Sequence, residues 1–368
     1  MKRAISYGGW VSNMDLTSST ILLSILLMWG SASASYHDGG VIDDLFFYRQ
    51  PSARAEAMGK GGVAMVDDPS ASFYNPASLG RMRGISISGS YGSPLYWFED
   101  TKYIFLGSGV RVGRYGTVGI SSYRVDYGGF AEICSSGEEM EDFEVALETL
   151  SLATDRLYGL DIGMNVNRIR MLGTCLREDP TGYSADIGVS RDLLLQAGSR
   201  AEQSLTFASS LYNVTDSKID FSGDSEELPV IVRLGTAYNL TWFSKSFLPA
   251  FKTAQGLIHI EYQDLLNSKY YGALRIGGEL RLLEMLALRL GYYRESRNDN
   301  DDPENYKDAL TDVTYGFGIE IPLEKMVAAK IPLRVKFDMT RLQQPGFRKG
   351  PNPWRDFSVY SLSARWGY

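Results

Sequence analysis

The sequence contains little cysteine and histidine, and its main part has no long apolar run. Two cysteines and two histidines occur among 368 residues, and they lie too far apart in the sequence for the paired ligands of a structural zinc site. After residue 35, no stretch reaches the ~20 apolar residues that a membrane-spanning helix needs. These absences exclude a zinc-stabilised domain and a helical membrane protein.

The motifs of nucleotide-binding and hydrolytic enzymes are also missing. There is no Gly-x-Ser-x-Gly sequence, and residues 59–62 (GKGG) lack the spacing and the Ser/Thr of a phosphate-binding loop. The formal net charge is −7, without the basic and aromatic patches that bind nucleic acids. We therefore expect no enzyme activity, no cofactor, no metal site and no nucleic-acid partner.

The N-terminus has the pattern of a secretory signal peptide. Lys2 and Arg3 precede the short apolar run of residues 21–29, and the small residues 32–34 (ASA) follow it. A basic start, an apolar centre and small residues before a cleavage site define such peptides. We predict a signal peptide over residues 1–34, cleaved near Ala34. A buried helix or a short anchor is the alternative.

From residue 84 onward, apolar and polar residues alternate along the chain. In the last segment Tyr360, Leu362, Ala364, Trp366 and Tyr368 fall on one face, and the chain ends on the aromatic residue. Alternation with period two predicts a strand with one apolar and one polar face. Counted over the chain there are about 14 such segments, an even number that is typical of a transmembrane antiparallel β-barrel.

The connections between these segments alternate in length. The short ones are residues 111–115, 154–157 and 282–285, and the long ones are residues 126–142, 171–182, 213–228 and 296–311. Outer-membrane barrels have short periplasmic turns and long external loops. A water-soluble β-sandwich has the same alternation along its strands but no such pattern of connections, so we predict the barrel.

Both cysteines fall in long connections that follow one another. Cys134 lies in the first and Cys175 in the second. An even number of cysteines in an exported chain permits a disulfide. We predict that Cys134 and Cys175 form one between two external loops, and two free buried thiols are the alternative.

Before the predicted barrel lies a segment of small residues that does not alternate. Asp68-Pro69 and Asn75-Pro76 are turn sequences. This segment contains several runs that are informative together. They are residues 52–55 (SARA), 58–59 (MG), 61–64 (GGVA), 67–68 (DD), 70–71 (SA), 73–77 (FYNPA) and Leu79. Together they resemble the N-terminal hatch of the FadL superfamily, which includes long-chain fatty-acid transporters and the PorV/PorQ family.

This resemblance implies a 14-stranded barrel over residues 84–368 and a hatch over residues 35–83 that plugs the lumen. The residues it marks as the gate are Asp67, Asp68, Asn75, Pro76 and Ala77. Apolar residues available to a ligand are Met58, Met65, Val66, Phe73 and Leu79, with Tyr96, Trp97 and Phe98 in the first external loop.

Charged residues occupy the predicted lumen face of the strands. They include Arg233, Glu261, Arg275, Glu279, Arg289, Arg334 and Asp338. Both signs are interspersed, so these side chains either pair across the lumen or form a gated polar path.

Two functions follow from the resemblance. The first is uptake of small hydrophobic molecules, such as long-chain fatty acids, through the outer membrane. The alternative is a PorV-like, non-enzymatic role in type IX protein secretion, in which the barrel docks a large translocon or its cargo. The expected partners are therefore outer-membrane lipid and lipopolysaccharide, the barrel-assembly machinery, and either a hydrophobic small molecule or a large secretion translocon.

Overall fold

The structure is a computed structural model of the chain. It describes residues 46, 50–93, 101–128, 130–133, 139–140, 143–157, 159–173, 179–221, 224–243, 253–267, 271–297, 310–326, 331–342 and 357–367. The predicted signal peptide, the aromatic residues Tyr96, Trp97 and Phe98, and both cysteines of the predicted disulfide lie outside the described residues.

Fourteen strands form one closed antiparallel barrel. They are β1 (Ile85–Ser93), β2 (Lys102–Val112), β3 (Gly116–Asp126), β6 (Phe143–Leu157), β7 (Leu160–Gly173), β8 (Thr181–Ala197), β9 (Ala201–Leu211), β12 (Ile231–Trp242), β13 (Ala254–Leu265), β14 (Tyr271–Leu282), β15 (Leu286–Arg297), β16 (Leu310–Pro322), β17 (Leu333–Leu342) and β18 (Phe357–Trp366). The predicted fold class and strand number are confirmed. The barrel closes where β18 pairs with β1, with Trp366 opposite Ile85.

Four further strands form two hairpins within the long connections, which the alternation did not predict. They are β4 (Phe130–Ile133) with β5 (Glu139–Met140), and β10 (Lys218–Phe221) with β11 (Asp224–Glu227). We call the barrel end that carries them external and the end with the short turns periplasmic, because outer-membrane barrels have this orientation.

The outer wall is apolar, and charged side chains are buried on the lumen side of several strands. On β14, Ile276 and Leu280 are exposed on the outside, whereas Arg275 and Glu279 are buried inside. Among the described residues, no helix is long and apolar enough to cross a membrane. The alternation of exposed apolar with buried charged residues makes this a transmembrane β-barrel.

Residues 50–83, which we call the inner segment, lie inside the barrel. The segment forms helix α1 (Ala53–Glu56), helix α2 (Ala71–Tyr74) and a 3-10 helix (Pro76–Arg81). Nearly all of its residues are buried. A further short helix, α3 (Leu323–Met326), follows β16 at the periplasmic end. Of the remaining predicted hatch, residues 35–49, the structure describes only Phe46.

Candidate functional site

The end of α2 is held by three strands of the barrel wall. The last carbonyls of a helix lack partners within it. Here, side chains from the wall supply donors to three consecutive carbonyls. They are Asn165 Nδ2 to Ser72 O (2.8 Å), Arg233 Nη1 to Phe73 O (2.6 Å) and Ser210 Oγ to Tyr74 O (2.7 Å). This short helix therefore has a defined position although it has only four residues.

The next residues, 75–77, form a tight connection that we call the gate turn. Asn75 Oδ1 accepts a hydrogen bond from the Ala77 amide (3.0 Å), which caps the 3-10 helix, and Pro76 occupies the first position of that helix. The Asn75 Nδ2 group donates to Val63 O and to Val189 O on β8, both at 3.2 Å. One asparagine thus shapes the turn and attaches it to the wall.

The gate turn is seated on two glycines of the wall. Gly163 on β7 pairs with Gly188 on β8. A Cβ atom at Gly163 would lie 2.3 Å from the carbonyl carbon of Pro76, and one at Gly188 would lie 2.0 Å from Asn75 Oδ1. No side chain fits at these distances, so the turn contacts the wall backbone directly.

A groove of about 700 Å³ lies on the lipid-facing side of the same wall. It is lined by β2, the turn that follows β2, and β3, β6, β7 and β8, and the lining is largely apolar. Its residues include Val118, Leu152, Ile162, Met164 and Ile187, together with Gly163 and Gly188. At the two glycines the wall between the groove and the gate turn is therefore only one backbone thick.

The 3-10 helix after the gate turn is fixed by arginines. Arg81 lies 3.3 Å from a carboxylate oxygen of Asp161 and 3.0 Å from one of Asp192. Arg111 donates to the carbonyl of Gly80 and pairs with Asp155 at 2.8 Å. These contacts anchor the periplasmic end of the helix to strands on both sides of the groove.

An apolar cluster fills the external half of the lumen around Phe73. The ring of Phe73 lies 5.2 Å from that of Tyr74, 5.5 Å from that of Tyr123 and 6.0 Å from that of Tyr212. The guanidinium of Arg233 lies 5.0 Å from the Phe73 ring centre. Inward residues of β3, β6 and β7 continue the cluster: Tyr123, Val125, Val145, Leu147, Ile169 and Met171.

Met58, Met65, Val66 and Leu79 are the other predicted ligand residues that the structure describes. They belong to the same contiguous cluster but lie in different parts of the lumen. All are buried. Met65 and Val66 line a polar cavity of about 380 Å³ at the periplasmic end. Met58 lies against Gly277, and its carbonyl oxygen is hydrogen-bonded to His259 Nε2 (2.8 Å). Leu79 lies against Gly119. Among these five described residues, Phe73 is the one that takes part in the aromatic contacts, and it lies two residues before Asn75.

The first half of the inner segment is held by buried charges. Glu279 accepts two hydrogen bonds from Arg54, both at 3.0 Å, and one from Arg289 at 2.6 Å. Arg289 also pairs with Asp338 at 2.8 Å. The predicted lumen residues Glu279, Arg289 and Asp338 therefore form one network with Arg54 of helix α1.

A second network lies beside it. Glu261 accepts hydrogen bonds from the amides of Gly62 (2.6 Å) and Val63 (2.9 Å), and Arg275 pairs with its other oxygen at 3.1 Å. Arg233 donates to Gln263 (2.8 Å). Arg334, by contrast, lies at the periplasmic end and pairs with Glu320 at 3.1 Å and with Glu324.

The two predicted gate aspartates are separate from the gate turn. The Asp67 side chain is 62% exposed and lies 3.1 Å from Arg54. Partial desolvation by its neighbours would raise its pKa, but the positive charges of Arg54 and Lys336 outweigh that effect and hold the pKa well below its usual range. Asp68 accepts the Ser70 amide (2.9 Å). Asp68 therefore shapes the start of α2, whereas Asn75, Pro76 and Ala77 contact the wall.

Several residues that position the gate turn were not singled out in the sequence. They are Gly163, Gly188, Asn165 and Ser210. All four fall on the inward face of their strands, and a small or amide residue at an inward position is the only signal that the sequence offers. Among the described residues, no group of histidine, cysteine and acidic side chains is arranged to hold a metal ion.

No protein-family model matches the sequence, and no curated protein is significantly similar to it. Solved structures of similar architecture include the toluene transporter TodX of Pseudomonas putida, with 11% identity, a TM-score of 0.49, and coverage of 88% of this chain and 100% of that one. The toluene transporter TbuX of Ralstonia pickettii has 12% identity and a TM-score of 0.47, covering 88% and 100%.

A FadL homologue of Pseudomonas aeruginosa is also similar, with 11% identity, a TM-score of 0.46, and coverage of 88% of this chain and 99% of that one. The likeness to all three lies in the barrel architecture. At these identities and TM-scores it carries no argument about what this chain binds or moves.

Proposed function

We propose that this protein lies in the outer membrane and mediates uptake of small hydrophobic molecules. More specifically, we propose that these molecules are long-chain fatty acids. The ligand enters the external apolar cluster, passes the gate turn and leaves through the wall into the groove. The observation that carries this proposal is the Gly163–Gly188 pair. It has the gate turn on its inner side and an apolar groove on its outer side.

The external cluster supports the first step. The Arg233 guanidinium lies beside the Phe73 ring, and the other contacts of the cluster are between aromatic and aliphatic side chains. Such contacts are non-directional and can be exchanged for equivalent contacts with a ligand. Phe73 contributes to this cluster and is two residues before Asn75, so a ligand held there lies next to the gate turn.

The groove supports the last step. Its volume of about 700 Å³ lies within the range of small-molecule sites. Because Leu152, Met164 and Ile187 are exposed to lipid, a molecule in the groove reaches the bilayer without crossing water. In this proposal Asn75 holds the closed turn, while Pro76 and Ala77 cover the inner side of the Gly163–Gly188 pair.

Uptake of radiolabelled oleate tests the proposal in a Gram-negative host whose outer membrane lacks a fatty-acid transporter. We expect the barrel to raise uptake over the empty host. The Gly163→Ala change should speed entry, because its Cβ would clash with Pro76 and prevent the turn from seating. Met164→Trp should slow entry by filling the groove. Both variants are compared at equal amounts of folded barrel.

Gly256→Ala is the matched control for Gly163→Ala. Gly256 also lies within a strand, but a Cβ atom there would meet nothing within 4 Å. Its uptake should equal that of the unchanged barrel. Uptake no higher than in the empty host would rule out the proposal. Type IX secretion, the alternative from the resemblance, predicts instead a stable complex with a very large outer-membrane protein.

A further inference from the structure

Asp186 is a buried carboxylate at the centre of a hydrogen-bond network that the uptake path does not itself use. It lies on the inward face of β8 and is fully buried. Its Oδ1 accepts the amide of Asn213 at 3.1 Å, and its Oδ2 accepts Asn165 Nδ2 at 2.9 Å and Asn167 Nδ2 at 2.8 Å. A buried carboxylate needs such donors, so moving any of them is unfavourable.

Asn165 connects this carboxylate to the inner segment. Its Nδ2 group donates both to Asp186 and to the carbonyl of Ser72, three residues before Asn75, while its Oδ1 accepts from Ser151 (2.7 Å). Asn167, two residues along the same strand, also donates to Asp186, but its other partners are Ser184 and Thr149 on the wall. Only the first asparagine therefore joins Asp186 to the inner segment.

Asn213 connects the same carboxylate to an external connection. Its backbone has a φ of 52°, in the left-handed region, and its side chain closes residues 213–217 by accepting the amide of Ser217 at 3.0 Å. Its Nδ2 also donates to the carbonyl of Leu228 (3.1 Å), beyond the β10–β11 hairpin. Asp186 thus holds the first turn of this external connection.

We infer that Asp186 is a positioning residue that couples this external connection to the gate turn. The inference rests on the proposed function, since it assigns a role to movement of the gate turn. The path runs from the Asn213 amide through Asp186 and Asn165 to the Ser72 carbonyl. A molecule that displaces residues 213–217 removes a donor from Asp186, and the carboxylate then loses the geometry that places Asn165 on Ser72. A molecule that displaces residues 213–217 therefore loosens the gate turn without contacting it.

Hydrogen exchange of the barrel in lipid nanodiscs tests the coupling without a ligand. We expect Asn213→Ala to speed exchange at least about tenfold in residues 212–217 and also in residues 72–77. The alanine loses the side-chain bonds and disfavours the left-handed φ, so its amide withdraws from Asp186. Asn165→Ala should act in the opposite direction and speed exchange in residues 212–217 as well as in residues 72–77.

Asn267→Ala is the matched control. Asn267 holds the same external connection, donating to Leu228 O at 3.0 Å and accepting the Val230 amide at 3.0 Å, but it does not contact Asp186. Its change should speed exchange only in the external connection. In an Asp186→Asn background, Asn213→Ala should add nothing at the gate.

Faster exchange of residues 212–217 in Asn213→Ala with an unchanged gate would overturn the coupling, even if oleate uptake is normal. Conversely, a barrel that takes up no oleate but shows coupled exchange would overturn the proposed function and not the coupling. The two failures are therefore distinguishable.

Discussion

The two sides of the lumen hold the inner segment in different ways. Strands β12 to β17 present charged residues, of which Arg275 and Glu279 are buried, and these contact the part of the segment that contains helix α1. Strands β2, β3, β6 and β7 present apolar residues such as Tyr123 and Val145, and these surround Phe73 and the gate turn.

This difference separates a fixed part of the segment from a part that can change. Charge-assisted hydrogen bonds are directional, and a buried charge that loses its partner is strongly destabilising. Apolar contacts tolerate replacement of one partner by another of similar volume. The charged side therefore anchors helix α1, whereas the Phe73 side chain on the apolar side makes contacts that another apolar group of similar volume could replace.

The Glu279→Gln change should have the largest effect, because it tests the anchoring side directly. The side chain keeps its size, but the buried Arg54 and Arg289 lose the carboxylate that they share. We expect a loss of about 3–5 kcal/mol in the free energy of unfolding. Urea titration of the folded barrel in lipid vesicles measures it.

Lys218→Ala is the control for this prediction. Lys218 forms an ion pair with Glu227 at 2.9 Å in the external β10–β11 hairpin, where its side chain is half exposed. Its removal should cost much less than Glu279→Gln. Equal losses in the free energy of unfolding for the two variants would show that the buried ion pairs do not hold the inner segment more strongly than an exposed ion pair holds the hairpin.

The Phe73→Leu change should have a smaller effect, because it replaces one apolar side chain by another on the tolerant side. The variant loses ring contacts with Tyr74, Tyr123 and Tyr212. We expect a loss of about 1–2 kcal/mol from reduced packing and lost aromatic pairs, measured by the same urea titration. Phe317→Leu, the same change on the lipid-facing wall, should cost less. A loss as large as that of Glu279→Gln would remove the distinction between the two sides.

The strands could be predicted from the sequence because alternation sums over many residues. All 14 barrel strands overlap the predicted segments, and Ile276 and Glu279 lie on the faces that their positions indicated. One boundary error is at β8, where the alternation predicts a segment over residues 183–192 and the strand continues to Ala197. Three consecutive leucines and an irregular register at residues 194–196 interrupt the period there.

The site was predictable only in part because its contacts join residues that are distant in the chain. The resemblance marked Asn75, Pro76 and Ala77, and the structure places all three against the wall. That Gly163 and Gly188 receive them depends on the register between β7 and β8 and on how the segment enters the barrel. Similarly, alternation places Asp186 on the inward face, but it does not identify Asn213 as its partner.

The Asp67→Asn change should have the smallest effect, since Asp67 belongs to the anchoring side but is largely exposed. Because the folded state holds the pKa of Asp67 well below its usual value, its charge stabilises the fold above about pH 4, and that contribution is lost as the pH falls toward the lowered pKa. The stability difference between the unchanged barrel and Asp67→Asn should thus be constant from pH 7 to about pH 5 and shrink below about pH 4. Urea titrations at each pH measure it, with Asp220→Asn in the exposed hairpin as the control. A stability difference that grows as the pH falls would contradict the pairing of Asp67 with Arg54. Asp67, at the periplasmic end of the lumen, would then not belong to the charged side that anchors the segment.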